Sequence, residues 1–215
     1  MIANHIHHAL AQVQELQQKI LEKQRFKGYS GRARAISGTL AFGLAGLMSS
    51  SYFPQNPTAH LAGWAALFVA AMVINFGAIT YWFLFDPQCK RDFRRLRPVA
   101  DVIPPLFVGG VLTFAMIQHG LYQYLFSIWM CTFGLANLAT RHVLPKAIWT
   151  LGLFYVACGT ICLFWNGLTF LNPWPMAIVF FLGEWAGGII LHFDGTENIS
   201  LSEFLRIKEN YHART

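Results

Sequence analysis

Six long apolar runs divide this chain, and they limit its fold more than any other feature. A helix needs about 20 mainly apolar residues to cross the roughly 30 Å of hydrocarbon in a bilayer. Charged residues make up 12% of the chain, about half of the roughly 25% typical of soluble domains. The predicted fold class is an all-α, polytopic integral membrane protein with six transmembrane helices in three hairpins. The predicted spans are residues 35–53, 61–85, 102–118, 123–139, 147–165 and 175–193.

The positive charges predict the orientation of these helices. All 16 Lys and Arg residues fall into four stretches: the N-terminal tail up to Arg34, the loop 86–98, the corner 141–146 and the C-terminal tail. The connections 54–57, 118–123 and 166–173 carry no charge. Because cytoplasmic loops retain Lys and Arg during insertion, both termini should be cytoplasmic. We expect a multi-pass protein of the cytoplasmic (inner) or plasma membrane, with Arg34 in a cytosolic tail.

The chain divides into an N-terminal segment 1–30, a transmembrane domain 31–193 and a tail 194–215. In the first segment, apolar residues occupy a and d positions of heptads over nearly three repeats, namely Ile2, Ile6, Ala9, Val13, Leu16 and Ile20. This pattern predicts either a cytosolic dimerisation helix or an amphipathic helix that lies on the membrane or under the bundle. We expect a homo-oligomer, joined through this helix or through a small-residue face of the spans. In the tail, the capping-box pattern of Ser200 and Glu203 predicts a short cytosolic helix over 201–211.

A basic elbow, defined as residues 86–98, follows the second apolar run. Each cation near a membrane surface contributes about 1 kcal/mol of attraction to anionic lipids. The net charge of +6 does not indicate nucleic-acid binding, because the cations collect where helices leave the bilayer. We expect the elbow to contact anionic lipid headgroups or a cytosolic protein partner. Its contact residues are Lys90, Arg91, Arg94, Arg95 and Arg97.

Glu184 is the one acid predicted to lie inside the membrane. It is nine residues from each end of the sixth span, and a charged side chain at that depth costs at least about 2.5 kcal/mol. It must therefore be hydrogen-bonded, protonated or exposed to water, and no basic partner is expected in the spans. Asn75 in the second span is its predicted hydrogen-bond partner, and Asn137 in the fourth span lies nearer the cytoplasm. Glu184 could lock the bundle, couple protons or cations to transport or signalling, or act as a ligand-binding or catalytic carboxylate.

Small residues beside Glu184 predict close helix packing. Gly183 and Gly187 form a GxxxG step, and Gly188 extends the same surface. Because glycine has no side chain, such a surface allows a neighbouring helix to approach closely in the membrane.

The sequence lacks several patterns that carry known chemistry. It contains no HExxH zinc motif, no GxxxxGK[ST] phosphate loop and no GxSxG nucleophile elbow. Histidines at the ends of the predicted spans, such as His60, are interpreted as solvated or headgroup-contacting side chains. We predict no catalytic residue, no metal site and no cofactor, and we expect a protein that is not an enzyme.

Three classes of function are consistent with these features. The least favoured is an intramembrane enzyme acting on lipid, because no nucleophile, base and orienting group can be assembled from the spans. The favoured one is a membrane sensor or scaffold, whose cytosolic helices and basic elbow engage a partner while the bundle responds to the membrane or to an apolar ligand. The alternative is a small oligomeric transporter or channel in which Glu184 is linked to protons or cations. A hydrated crevice reaching Glu184 would favour transport, whereas a dry bundle with a Glu184–Asn75 hydrogen bond would favour the scaffold.

Overall fold

The fold is known from a computed structural model, which describes residues 13, 28–86, 97–141, 144–165 and 167–212, without the side chains of 97–98 and 194–212. The described residues form six α-helices, one 3₁₀ turn at Tyr122–Tyr124 and no strand. The helical class predicted from the sequence is therefore confirmed for these residues. The helices are α1 (Gly31–Met48), α2 (Pro57–Phe85), α3 (Arg97–Gln118), α4 (Leu125–Ala139), α5 (Ala147–Phe164) and α6 (Trp174–His212).

Local sequence signals set the start of the first two helices. Ser30 caps α1, because its hydroxyl oxygen accepts a hydrogen bond from the Ala33 N–H at 3.3 Å. Asn56 caps α2 by accepting from the Ala59 N–H at 2.8 Å, and Pro57 stands at the first helical position. Both caps satisfy backbone donors that have no partner within the helix.

Four helices are long and apolar enough to cross a membrane: Pro57–Phe85, Val99–Gln118, Ala147–Phe164 and Trp174–Phe193. These four apolar helices identify the chain as a membrane protein. The other two predicted spans fall short for separate reasons. Helix α1 carries Arg32 and Arg34 near its start, which lower its mean hydropathy, and α4 has 15 residues, or about 22 Å at about 1.5 Å per residue.

The helices pack as two close antiparallel pairs, α1 with α6 and α4 with α5. Helix α2 packs on α1, α3 packs on α4, and α5 contacts α6. The spatial order is therefore α2, α1, α6, α5, α4, α3, with α2 and α3 at the two ends of the series. Of the candidate spans, these two outer helices are also the least buried. In the most apolar stretch of each helix, 11% of the residues of α2 and 6% of those of α3 are buried.

Glycine allows both antiparallel pairs to approach to backbone contact. A Cβ atom added to Gly188 would lie 2.7 Å from the carbonyl oxygen of Gly31, and one added to Gly134 would lie 2.7 Å from the carbonyl oxygen of Gly152. Real Cβ atoms essentially never come so close to another heavy atom. The α1–α6 and α4–α5 contacts therefore depend on the absence of side chains at these positions.

Several predicted boundaries differ from the structure. Helix α1 begins at Gly31 rather than at residue 35, because the Ser30 cap lies earlier than the apolar run. The predicted tail helix 201–211 is continuous with the last span, because α6 extends from Trp174 to His212. No proline interrupts this stretch, and a helix can continue beyond its apolar part. The N-terminal heptads, apart from Val13, and the elbow residues Lys90, Arg91, Arg94 and Arg95 lie outside the described residues, as does the Arg97 side chain.

Candidate functional site

Arg34 on α1 and Glu184 on α6 form a buried, bidentate ion pair. The Arg34 Nε–H donates to Glu184 Oε2 at 3.0 Å, and the Nη2–H donates to Oε1 at 2.7 Å. Arg34 is 7% exposed and Glu184 is 4% exposed. The planar guanidinium matches the carboxylate geometry, so both oxygens are held at once.

Two more helices contribute to the same cluster. The Tyr155 hydroxyl, on α5, donates to Glu184 Oε1 at 3.0 Å. The Arg34 Nη1–H donates to the side-chain oxygen of Asn137, on α4, at 3.2 Å. The Asn137 amide nitrogen in turn donates to the Phe133 carbonyl oxygen at 2.9 Å. The cluster therefore joins α1, α4, α5 and α6 through polar contacts, and its two formal charges cancel.

The predicted glycine surface makes room for this cluster. A Cβ atom on Gly187 would lie 2.8 Å from Arg34 Cζ, and one on Gly183 would overlap the Tyr155 phenol. Gly188 contacts the backbone at Gly31, one turn before Arg34. These three glycines therefore admit both the neighbouring helix and the two side chains that hold Glu184.

Three sequence-based expectations about this site are wrong. Arg34 is not part of a solvated tail, and Glu184 does have a basic partner. Asn75 does not bond to Glu184: its amide nitrogen donates to the Ser37 hydroxyl at 3.0 Å and to the Ala71 carbonyl oxygen at 2.9 Å. Of the three predicted polar residues, the structure brings Asn137 to Glu184 through Arg34, and it leaves Asn75 in a separate contact between α1 and α2.

One signal in the sequence could have revealed Arg34. An acid in the hydrocarbon is most economically neutralised by a cation nearby, and Arg34 directly precedes the first apolar run. The apolar run begins at Ala35, so the charge pattern alone groups Arg34 with the solvated cations of the tail.

A largely apolar cavity of about 440 Å³ adjoins the ion pair. Its walls come from α1, α2, α3, α4 and α6, together with Tyr29, Thr140 and Leu144. Arg34, Asn137, Thr140 and Glu184 lie at the end where α1 begins, and Leu61, Trp64 and Met176 lie at the opposite end. Comparison with protein-family models, curated proteins and solved structures finds no match for this chain. The chemistry of this cavity is therefore the main indication of function.

Tyr29 lines the cavity at the ion-pair end. Burial raises the pKa of Tyr29 to about 12, with Asp101 acting in the same direction and Arg34 in the opposite one. Its hydroxyl is therefore neutral at physiological pH. The end of the cavity beside Arg34 is polar but carries no uncompensated charge from Tyr29.

The interpretation of His60 as a solvated side chain is wrong. His60 is fully buried and packs against Phe53, with ring centroids 5.2 Å apart. Among the described residues, neither of its ring nitrogens has a hydrogen-bond partner, and the same holds for Trp64 Nε1. In this part of the chain, no three His, Cys, Asp or Glu side chains converge as a metal site would require.

Replacement of Tyr155 by phenylalanine tests the hydroxyl contact with Glu184. We expect the free energy of unfolding to fall by roughly 1–2 kcal/mol, because the carboxylate loses a buried hydrogen bond in a membrane setting. Denaturant unfolding in detergent micelles, followed by tryptophan fluorescence, measures the change. Tyr81→Phe is the matched control, since Tyr81 is 69% exposed. Equal stabilities of the two variants would contradict the contact.

Proposed function

We propose that this protein is a non-enzymatic membrane sensor or scaffold whose helical bundle binds an apolar ligand taken from the bilayer. The cavity beside the Arg34–Glu184 pair is the observation that carries the proposal. Its volume of about 440 Å³ falls within the roughly 300–1,000 Å³ typical of small-molecule sites, which are also mainly apolar with a few polar groups.

The position of the cavity suggests entry from the membrane. Helices α2 and α3 both line it, and they stand at opposite ends of the helix series. Their outward surfaces are strongly apolar, with Val69 and Val73 on α2 and Phe107 and Phe114 on α3 among the exposed side chains that lie outside the cavity lining. A molecule dissolved in hydrocarbon could pass between two such helices without crossing water.

The bonding of Glu184 favours the sensor over the transporter. A carboxylate that carries protons or cations must release and rebind them, whereas Glu184 accepts two hydrogen bonds from Arg34 and one from Tyr155. Breaking one partner from a buried ion pair leaves an uncompensated charge. The transporter remains the second candidate, because the cavity does reach Glu184.

The proposal includes six spans with both termini cytoplasmic. Compensation of Arg34 by Glu184 allows α1 to lie in the hydrocarbon despite its low hydropathy. The 3₁₀ turn at Tyr122–Tyr124 lengthens α4 toward the surface, so that α4 can span beside α5. The cytosolic segments, including the basic elbow, would then carry ligand-dependent contacts with lipid headgroups or a protein partner.

Filling the cavity tests ligand binding. Gly110 lines the cavity, and nothing lies within 4 Å of a Cβ atom built there, so Gly110→Phe should occupy the space without breaking the fold. We expect native mass spectrometry of the protein released from nanodiscs to show a bound apolar molecule that Gly110→Phe reduces at least about tenfold.

Gly77→Phe is the matched control, because Gly77 also has open space around it but lies outside the cavity lining. It should retain the bound molecule. Absence of any bound molecule in the unmodified protein would overturn the proposal. Proton-driven flux in reconstituted vesicles that Glu184→Gln abolishes would instead establish the transporter.

A further inference from the structure

The two ends of the cavity differ in polarity. Arg34, Asn137, Thr140 and Tyr29 lie at one end, whereas the opposite end is formed mainly by apolar and aromatic side chains such as Leu61, Trp64 and Met176. An amphiphilic molecule would therefore bind in one preferred direction.

Hydrogen-bonding capacity indicates which end receives the polar group. A guanidinium has five N–H donors, and Glu184 and Asn137 engage three of those on Arg34. Tyr155 also lies within hydrogen-bonding distance of Arg34, so at most two further donors remain for a ligand oxygen beyond the described contacts. At the other end, Trp64 Nε1 is a single neutral donor without a partner among the described residues. Because hydrogen bonds to charged groups are the stronger ones, the Arg34 end should hold the polar group.

Charge balance restricts the polar group further. The positive charge of Arg34 is already matched by Glu184, so an anionic head group would add an uncompensated charge in an apolar surrounding, which is strongly unfavourable. A neutral head group with an acceptor oxygen avoids this penalty. Alcohols, glycerol esters and amides meet both conditions.

The dimensions fit a single hydrocarbon chain. The cavity-lining residues of α2 extend from Leu61 to Ile79, which is about 27 Å at about 1.5 Å per residue and comparable to the hydrocarbon thickness. A volume of about 440 Å³ along that length has room for a single hydrocarbon chain.

We propose that the cavity binds a neutral single-chain lipid, of the monoacylglycerol, fatty-alcohol or fatty-amide class, with its head group beside Arg34 and Asn137 and its chain end beside Trp64. This inference rests on the proposed ligand-binding function and specifies the ligand and its direction. The charged pair serves as a hydrogen-bonding anchor, and the aromatic end limits the chain length.

Fluorescence quenching by brominated lipids tests the direction of binding. The full-length protein in detergent micelles is titrated with a monoacylglycerol brominated at the chain end, or with one brominated next to the carbonyl. The contribution of Trp64 is the difference between the unmodified protein and Trp64→Phe. We expect the chain-end bromine to quench this contribution at least about threefold more than the bromine next to the carbonyl. Trp149→Phe is the control, because Trp149 is 43% exposed and lies outside the cavity lining.

Competition tests the charge of the head group. At a pH where a fatty acid is ionised, the anion should compete with the brominated monoacylglycerol at least about tenfold less well than the neutral lipid of equal chain length. Equal competition, or stronger quenching of Trp64 by the bromine next to the carbonyl, would overturn the inference. If Gly110→Phe removes a co-purified molecule that monoacylglycerol cannot displace, the ligand-binding function stands and this inference fails.

Discussion

Replacing Arg34 by methionine is expected to lower the free energy of unfolding by about 3–5 kcal/mol, because the variant leaves the Glu184 carboxylate buried without its counter-ion. Of the described side chains that donate hydrogen bonds to Glu184, Tyr155 would be the one that remains in the variant. Denaturant unfolding in detergent micelles measures the loss. Methionine retains the length and apolar stem of the arginine, so that the change is mainly one of charge and hydrogen bonding.

Arg32→Met is the matched control for this experiment. Arg32 lies on the same helix two residues earlier and is exposed, so the stability should change by less than about 0.5 kcal/mol. The double variant Arg34→Met/Glu184→Met should recover most of the loss, because a buried pair replaced by apolar side chains is often close to neutral. A small effect of Arg34→Met alone would mean that Glu184 does not depend on this pair.

The second large effect is expected at the backbone contact between α1 and α6. Gly188→Val should lower the free energy of unfolding by about 3 kcal/mol, because the new Cβ atom meets the Gly31 carbonyl oxygen and rigid backbone cannot move aside as a flexible side chain can. The two helices must separate, and the Arg34–Glu184 bonds between them should lengthen. The same unfolding measurement detects the loss.

Gly46→Val supplies the comparison for steric effects. Gly46 lies on α1 with nothing within 4 Å of a Cβ atom built there, so valine should be accommodated at a cost below about 1 kcal/mol. If Gly188→Val were as stable as Gly46→Val, the close α1–α6 contact would be contradicted.

Much of the site could be predicted from the sequence, but the Arg34–Glu184 ion pair could not. The free-energy cost of a charged side chain in hydrocarbon was enough to predict that Glu184 needs partners. The small size of Gly183, Gly187 and Gly188 predicted a packing surface. The sequence predicts Asn75 as the partner of Glu184 because both residues lie near the mid-depth of their spans. Depth along a helix does not determine which face a side chain occupies, and in the structure Asn75 bonds to Ser37 instead.

Composition and apolar run lengths by themselves determined that this is a helical membrane protein, because only segments with internally satisfied backbone can cross hydrocarbon. They also determined where most helices lie and which buried acid must be compensated. The tertiary structure decided that Arg34, 150 positions away from Glu184 in the chain, supplies the compensation, and that α2 and α3 line a cavity beside the pair. The physical reason is that helix periodicity and hydropathy are local properties of the sequence. The order of the helices and the faces that they turn toward one another depend on packing between distant segments, and glycine contacts such as Gly31–Gly188 permit that packing.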